Sequence, residues 1–239
     1  MLNITFDYYN DMKKFLEIIY SNDVIDYNVR INGEYLDKKN SELFVSIGKE
    51  LVKILDDYRL HHSVAVMVTA MYLSKIHKLD TIKTGIASLL HDCGKLQNEL
   101  VILELKKNNI YISEFEERNP HILHGKLGVF YAQKIFKIDD IDILNSIRYH
   151  TTGRCNMSKL EKIVFISDFI EFTRPFDSDF SLEFDCMTNL DLAMYLILKK
   201  TLKSLLKKNR EISLQSLSAY IYYKQKCMKN INWEGNIKE

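Results

Sequence analysis

Ile86-Ala87-Ser88-Leu89-Leu90-His91-Asp92-Cys93-Gly94-Lys95 is an apolar stretch of small side chains that runs straight into an imidazole, a carboxylate, a glycine and an amine. Helical spacing is expected up to Leu90, and a buried helix needs no such ending. Burying an imidazole and a carboxylate costs on the order of several kcal/mol unless they are paired, hydrogen-bonded or bound to a metal. Neighbouring positions on a helix point about 100° apart, so His91 and Asp92 do not lie side by side. They can approach one ion from different directions, and a carboxylate there can bridge two. Gly94 is expected to let the chain turn without a Cβ penalty, leaving Lys95 free to lean back over whatever the pair holds. Taken alone, the dipeptide reads first as a capped helix end with a local His/Asp hydrogen bond, and the rest of the chain changes that.

Outward from this stretch the pattern is helical. Asn40 or Ser41 reads as an N-cap, followed by Leu43, Phe44, Ile47, Leu51, Ile54 and Leu55 at spacings of three and four. A second helix carries Arg59, His61 and His62 ahead of Val66, Thr69, Ala70 and Leu73, and a third spans 81–90. After a helix at 99–107 and a polar loop, Pro120 opens a helix with His124-Gly125 in its first two turns. Further helices are expected at 140–150, 158–172, 190–209 and 213–223.

Residues 1–40 read as an N-terminal extension, 41–228 as the main domain and 229–239 as a polar tail. Within the extension, 11–20 has helical spacing. Val29-Arg30-Ile31-Asn32-Gly33-Glu34-Tyr35-Leu36 has the pattern of a β-hairpin, because both Asn and Gly accept positive φ.

Only two prolines and eight glycines in 239 residues favour an all-α chain over a strand-rich one. A net charge of +1 gives no footprint for nucleic acid or an anionic membrane. Cys93, Cys155, Cys186 and Cys227 lie far apart with no CxxC spacing, which implies reduced thiols rather than a disulfide framework or a zinc ribbon. The N-terminus lacks the pattern of a signal peptide, and Lys or Asp breaks every apolar run before membrane-spanning length. The expected compartment is the cytoplasm.

His62, His91, Asp92, His124, His150 and Asp168 are ligand-capable residues at helix ends or on apolar faces, about one helix hairpin apart. Separate helices of a bundle can bring such residues to one centre. Four imidazoles and two carboxylates suit iron, manganese or zinc, and the thiolates of a structural zinc site are missing. Spacing alone leaves His61 beside His62, and His121 one turn from His124, as competitors. His77 reads as a solvated charge at a helix end, and Cys93 as a packing residue.

Arg59-x-x-His62-Ser63, His91-Asp92-x-x-Lys95, His124-Gly125, His150-Thr151-Thr152-Gly153 and Asp168-x-x-Glu171-x-x-Arg174 resemble, in that order, the motifs of the HD-superfamily phosphohydrolases. More narrowly they resemble its bacterial YqeK family of symmetrical diadenosine tetraphosphate hydrolases. The likeness covers about 41–225, including Asn189-Leu190-Asp191-Leu192-Ala193 and Ser218-Ala219-Tyr220, and leaves the extension outside. It selects His62 over His61, and the glycine after His124 favours that residue over His121.

The resemblance implies an all-α HD-domain bundle whose dinuclear centre, with Asp92 bridging, holds two divalent ions, iron first and manganese or zinc as alternatives. It also implies hydrolysis of a phosphoanhydride in a small nucleotide. Asp92 and Lys95 are the expected catalytic residues, while Arg59, Lys95, Thr151, Thr152, Gly153 and Arg174 are expected to meet the substrate. Two divalent ions there would lower the pKa of bound water and attract a polyphosphate. Rival readings are hydrolysis of a dNTP, a nucleoside monophosphate or a guanosine polyphosphate, and a regulatory HD module without turnover. The sequence leaves room for a homodimer.

Overall fold

The structure is a computed structural model that describes residues 6–21, 28–173 and 188–235. Among these are eleven α-helices and one two-stranded ribbon. Arg174 and Cys186 lie outside the described residues.

The first helix, α1 (Phe6–Tyr20), precedes a hairpin of β1 (Arg30–Ile31) and β2 (Glu34–Tyr35), antiparallel with Ile31 opposite Glu34. Asn32 and Gly33 both take positive φ, 54° and 79°, as a two-residue hairpin turn of this type requires. Next comes α2 (Lys38–Ile54), which starts earlier than Asn40 or Ser41 because Asp37 is the N-cap and accepts the Asn40 N–H at 2.9 Å. Ser41 instead donates its hydroxyl to the Leu36 carbonyl.

The central element is α3 (Asp57–Ile76), buried on nearly every side from Leu60 to Ser74. A helix apolar all round belongs in the middle of a core, and α4 (Thr81–Leu90) and α9 (Lys159–Ile170) pack against it. Between them run α5 (Asn98–Lys107), α6 (Glu114–Arg118), α7 (His124–Lys134) and α8 (Ile141–Tyr149).

Two details differ from the sequence reading. The segment expected to be a loop contains α6, opened by a reciprocal Ser113/Glu116 capping box that the Ser-x-x-Glu spacing encodes. Pro120 opens only a single 3-10 turn, Pro120–Ile122, and the α-helix begins at His124 itself. At the C-terminal side, α10 (Leu190–Lys207) packs on α9 and on α11 (Leu214–Gly235). The last helix therefore runs past Tyr223 through most of the expected tail.

The described residues of the 1–40 extension contribute to the main core. Phe15, Leu16, Ile19, Val29 and Ile31 are buried in one cluster with Phe44, Leu51, Val64 and Leu90. No helix among the described residues is long and apolar enough to cross a membrane.

Candidate functional site

Helices α3, α4, α7, α8 and α9 deliver His62, His91, Asp92, His124, His150 and Asp168 to one place. His91 caps the C-terminus of α4, and its Nδ1 lies 2.7 Å from the Ser88 carbonyl. In the same way His150 caps α8 with Nδ1 2.8 Å from the Ile147 carbonyl. His124, first residue of α7, has Nδ1 2.7 Å from the carbonyl of His121. A carbonyl only accepts, so each Nδ1 carries the proton and each Nε2 turns a bare lone pair inward. His121 thus serves through its backbone, while its own side chain is exposed. His61 is exposed too, and His62 is the buried member of that pair.

Glycines allow the close approach. A Cβ on Gly94 would overlap the backbone of His124 and Gly128, and one on Gly125 would come within 2.8 Å of the Arg148 carbonyl. Gly94 therefore lets the loop after α4 press directly on α7. It does not make a left-handed turn, since the positive-φ glycines are Gly33 and Gly153.

Inside the cluster, acceptors face acceptors. The Nε2 atoms of His124 and His150 are 2.9 Å apart, and Asp92 Oδ1 lies 3.2 and 3.3 Å from them. His91 Nε2 is 3.8 Å from both Asp92 Oδ2 and Asp168 Oδ1, and His62 Nε2 is 3.0 Å from Asp168 Oδ1. His91 Nε2 and Asp92 Oδ1 are buried without a hydrogen-bond partner. Only protons or a cation can make such a gathering of lone pairs favourable.

Burial disfavours the protons, pulling His91 and His124 down to about 4, so both rings are neutral at neutral pH. Burial also opposes ionisation of Asp92 and Asp168, so each carboxylate needs a positive or donating partner: a protonated imidazole neighbour, which would hold it below the usual range, or a cation. The donor set therefore fits a divalent metal. Ligand atoms within 4.8 Å of one another form three overlapping groups: His62, His91 and Asp92; His91, His150 and Asp168; Asp92, His124 and His150. Asp92, His91 and His150 each belong to two of them, and of the three only the carboxylate has two oxygens to share between ions.

A cavity of about 270 Å³ opens over the cluster, with Tyr58, Arg59, Lys95 and Thr151 in its wall. Lys95 Nζ stands 3.2 Å from His124 Nε2 and 3.8 Å from Asp92 Oδ1. Arg59 binds Asp56 at 2.9 Å and the Lys95 carbonyl at 3.0 Å, tying α3 to the loop that carries Lys95. Thr151 Oγ1 is 3.0 and 3.1 Å from the Nε2 atoms of His124 and His150.

Thr152 and Gly153 do not share this place. The Thr152 hydroxyl donates to the Gly153 carbonyl, and Gly153, at φ +64°, backs onto Leu198, Ala219 and Phe165. Both lie in the turn between α8 and α9.

An HD-domain family model matches residues 59–172, which hold all six converging side chains. A protein of Halalkalibacterium halodurans named bis(5'-nucleosyl)-tetraphosphatase, symmetrical, is 34% identical over 166 residues, covering 70% of this chain and 89% of the relative. The chain belongs to the YqeK-like family of HD-domain proteins. A Bacillus subtilis relative of the same name is 32% identical over 66% of this chain and 85% of its own. The crystal structure of a predicted HD superfamily hydrolase involved in NAD metabolism, from Clostridium acetobutylicum, superposes with a TM-score of 0.72 at 36% identity. It covers 76% of this chain and 96% of that one.

Glu171, the acid of the Asp168-x-x-Glu171 motif, has a part in the site that helical spacing does not show. Helix α9 ends at Ile170, and Glu171 turns to extended backbone (φ −53°, ψ 143°). That turn carries its carboxylate back to His62 Nδ1, 3.4 Å away, while Thr173 donates to it from both N–H and hydroxyl. A carboxylate behind a ligating histidine fixes ring and tautomer. The available signal was an acid one helical turn beyond Asp168, and apolar periodicity does not record it. Cys93 reads as packing in both views: burial pushes its thiol up, and Sγ lies 3.4 Å from the Gly128 carbonyl.

Proposed function

We propose that this protein is a metal-dependent phosphohydrolase that cleaves diadenosine tetraphosphate symmetrically into two ADP. The observation that carries the reading is the pair of buried, partnerless acceptors, His91 Nε2 and Asp92 Oδ1, at the floor of a cavity edged by two cations, in a chain with relatives of that name.

His62, His91, Asp92, His124, His150 and Asp168 would hold two divalent ions, with Asp92 shared. The mixed nitrogen and oxygen set without thiolate suits iron first, with manganese and zinc as competitors. When bound, the ions supply a water of lowered pKa and positive charge for the phosphate oxygens.

The chain's own residues do the rest. Carbonyls of Ser88, His121 and Ile147 aim three rings, and Glu171 aims the fourth. Lys95, a third exposed beside Asp92, is positioned to bind phosphate oxygens and to meet charge that develops during cleavage. Arg59 holds the Lys95 loop and adds positive charge to the cavity wall, and Thr151 offers a hydroxyl there. Arg174 is proposed as a further phosphate contact on the strength of the motif alone.

Metal analysis of the purified protein with chromatography of its products tests the reading. ADP alone from diadenosine tetraphosphate supports it. AMP with ATP overturns the symmetrical cut, and turnover only of a dNTP, a monophosphate or a guanosine polyphosphate overturns the substrate.

A further inference from the structure

A second cavity, of about 620 Å³, lies against the first, with Tyr58 and His62 in the walls of both. Its far wall is α1, a helix wholly outside the 59–172 region matched by the HD-domain model. Met12 and Leu16 form an apolar floor, and Tyr9, Tyr20, Tyr58 and His61 supply rings around it.

The wall is anchored to the helix that carries His62. Buried Asp11 accepts the Gly33 N–H at 3.0 Å, while the Asn32 amide donates to the Val68 carbonyl of α3 at 3.1 Å. At the other end of α1 the Tyr20 hydroxyl donates to Asp57, the first residue of α3, at 2.8 Å. Phe15 and Ile19 bury the opposite face of α1 in the core.

The two cavities differ in chemistry. The smaller offers Arg59 and Lys95 beside the ligand cluster, which suits anionic oxygens. The larger holds Lys13 and Glu17 of α1 and the Glu171 carboxylate that stands behind His62, among apolar and aromatic groups, and falls within the size range of small-molecule sites. Such a slot suits a flat, uncharged heteroaromatic ring, and aromatic faces stack nucleobases without demanding one sequence of donors.

We propose that α1, with Tyr58, forms the nucleoside subsite: the base lies in the larger cavity and the phosphates run past His62 to the cluster. The inference rests on the nucleotide-hydrolase reading, and it makes the N-terminal extension part of the substrate site. It names a binding role for Tyr9, Met12, Leu16, Tyr20 and Tyr58.

The test is equilibrium binding of ADP and of inorganic pyrophosphate to metal-loaded full-length protein, wild type against Tyr9→Ala/Tyr58→Ala. Both tyrosines are more than half exposed, at 56% and 80%, so truncation removes little core, and circular dichroism and metal content check that the fold and centre persist. The expected result is a roughly 10- to 100-fold loss of ADP affinity with a far smaller change for pyrophosphate, because Tyr58 edges the smaller cavity without charge and its cations, Arg59 and Lys95, both remain. Tyr35→Ala, an exposed tyrosine on the hairpin outside both cavities, should leave both affinities unchanged.

Unchanged ADP affinity in the double variant overturns the subsite, and so does an equal loss of pyrophosphate, which would mark a structural role. Kinetics separates this failure from that of the proposed function. If wild type does not cleave diadenosine tetraphosphate, the function fails while base-dependent ADP binding still upholds the subsite. If wild type does cleave it, the double variant should show a raised KM at near-constant kcat.

Discussion

Helix α9 carries a carboxylate near each end, and the two meet opposite surroundings. At the N-terminal end, fully buried Glu161 receives Arg154 through two hydrogen bonds of 2.9 Å and the Ser158 N–H at 2.6 Å. At the next position, Lys162 reaches across to Asp191, which Lys226 also meets at 2.9 Å. Every one of these carboxylates has a cation supplied by the chain. At the C-terminal end, Asp168 faces the Nε2 atoms of His62 and His91, both acceptors once Nδ1 is engaged or burial removes the proton. The first end is complete as folded and stabilises the structure. The second gathers ring nitrogens and carboxylate oxygens beside the partnerless His91 Nε2 and Asp92 Oδ1, and that surplus of acceptors is what makes it a candidate for chemistry. Residue type does not separate the two ends, because both are carboxylates on an apolar helix.

Four substitutions test that contrast, in decreasing order of effect. Asp92→Ala should abolish hydrolysis and deplete bound metal, since it takes a ligand from two of the three groups around the cluster. Near-normal metal content by elemental analysis would show that Asp92 is not shared.

Glu161→Ala should cost about 3 kcal/mol of stability in denaturant unfolding, the low end for a broken buried pair because Arg154 stays partly exposed and can turn to water. Metal per folded molecule should not change. Metal loss in this variant would mean that the two ends of α9 are coupled.

Lys95→Ala should keep its metal and lower kcat/KM by roughly 100-fold, as expected when one charge-stabilising donor is removed. Metal loss equal to that of Asp92→Ala would give Lys95 a structural part instead.

Glu171→Gln should weaken metal binding roughly tenfold in a chelator competition, because the amide holds His62 less firmly than the carboxylate. Unchanged affinity would leave the His62 ring oriented by other contacts.

Much of the centre is legible in the chain because its decisive features are local. His91 and His150 end helices, and each finds its orienting carbonyl three residues back. Helix-end histidines next to Asp92, Thr151 and glycines stand out against apolar periodicity. The errors have local causes too. Asp37 competes with Asn40 and Ser41 for one cap and wins by binding the Asn40 N–H, and the Ser113/Glu116 capping box opens a helix inside a stretch whose polarity reads as loop. Thr151, Thr152 and Gly153 read as one set on paper, yet only Thr151 lines the cavity, while Gly153 in its left-handed turn faces Leu198, Ala219 and Phe165.

The sequence by itself determined that the chain is helical, which side chains can bind metal, that each sits at a helix end or on an apolar face, and which family the motifs resemble. These follow from periodicity, capping and side-chain chemistry, all of which act within a few residues. Only the tertiary structure decided that five helices close on one point, that Gly94 and Gly125 permit it by backbone contact, and that Glu171 stands behind His62. It alone placed α1 against α3, where an extension that reads as separate walls a cavity beside the cluster. Such relations join residues far apart in the chain, and they depend on how surfaces pack, which no spacing along one strand of sequence records.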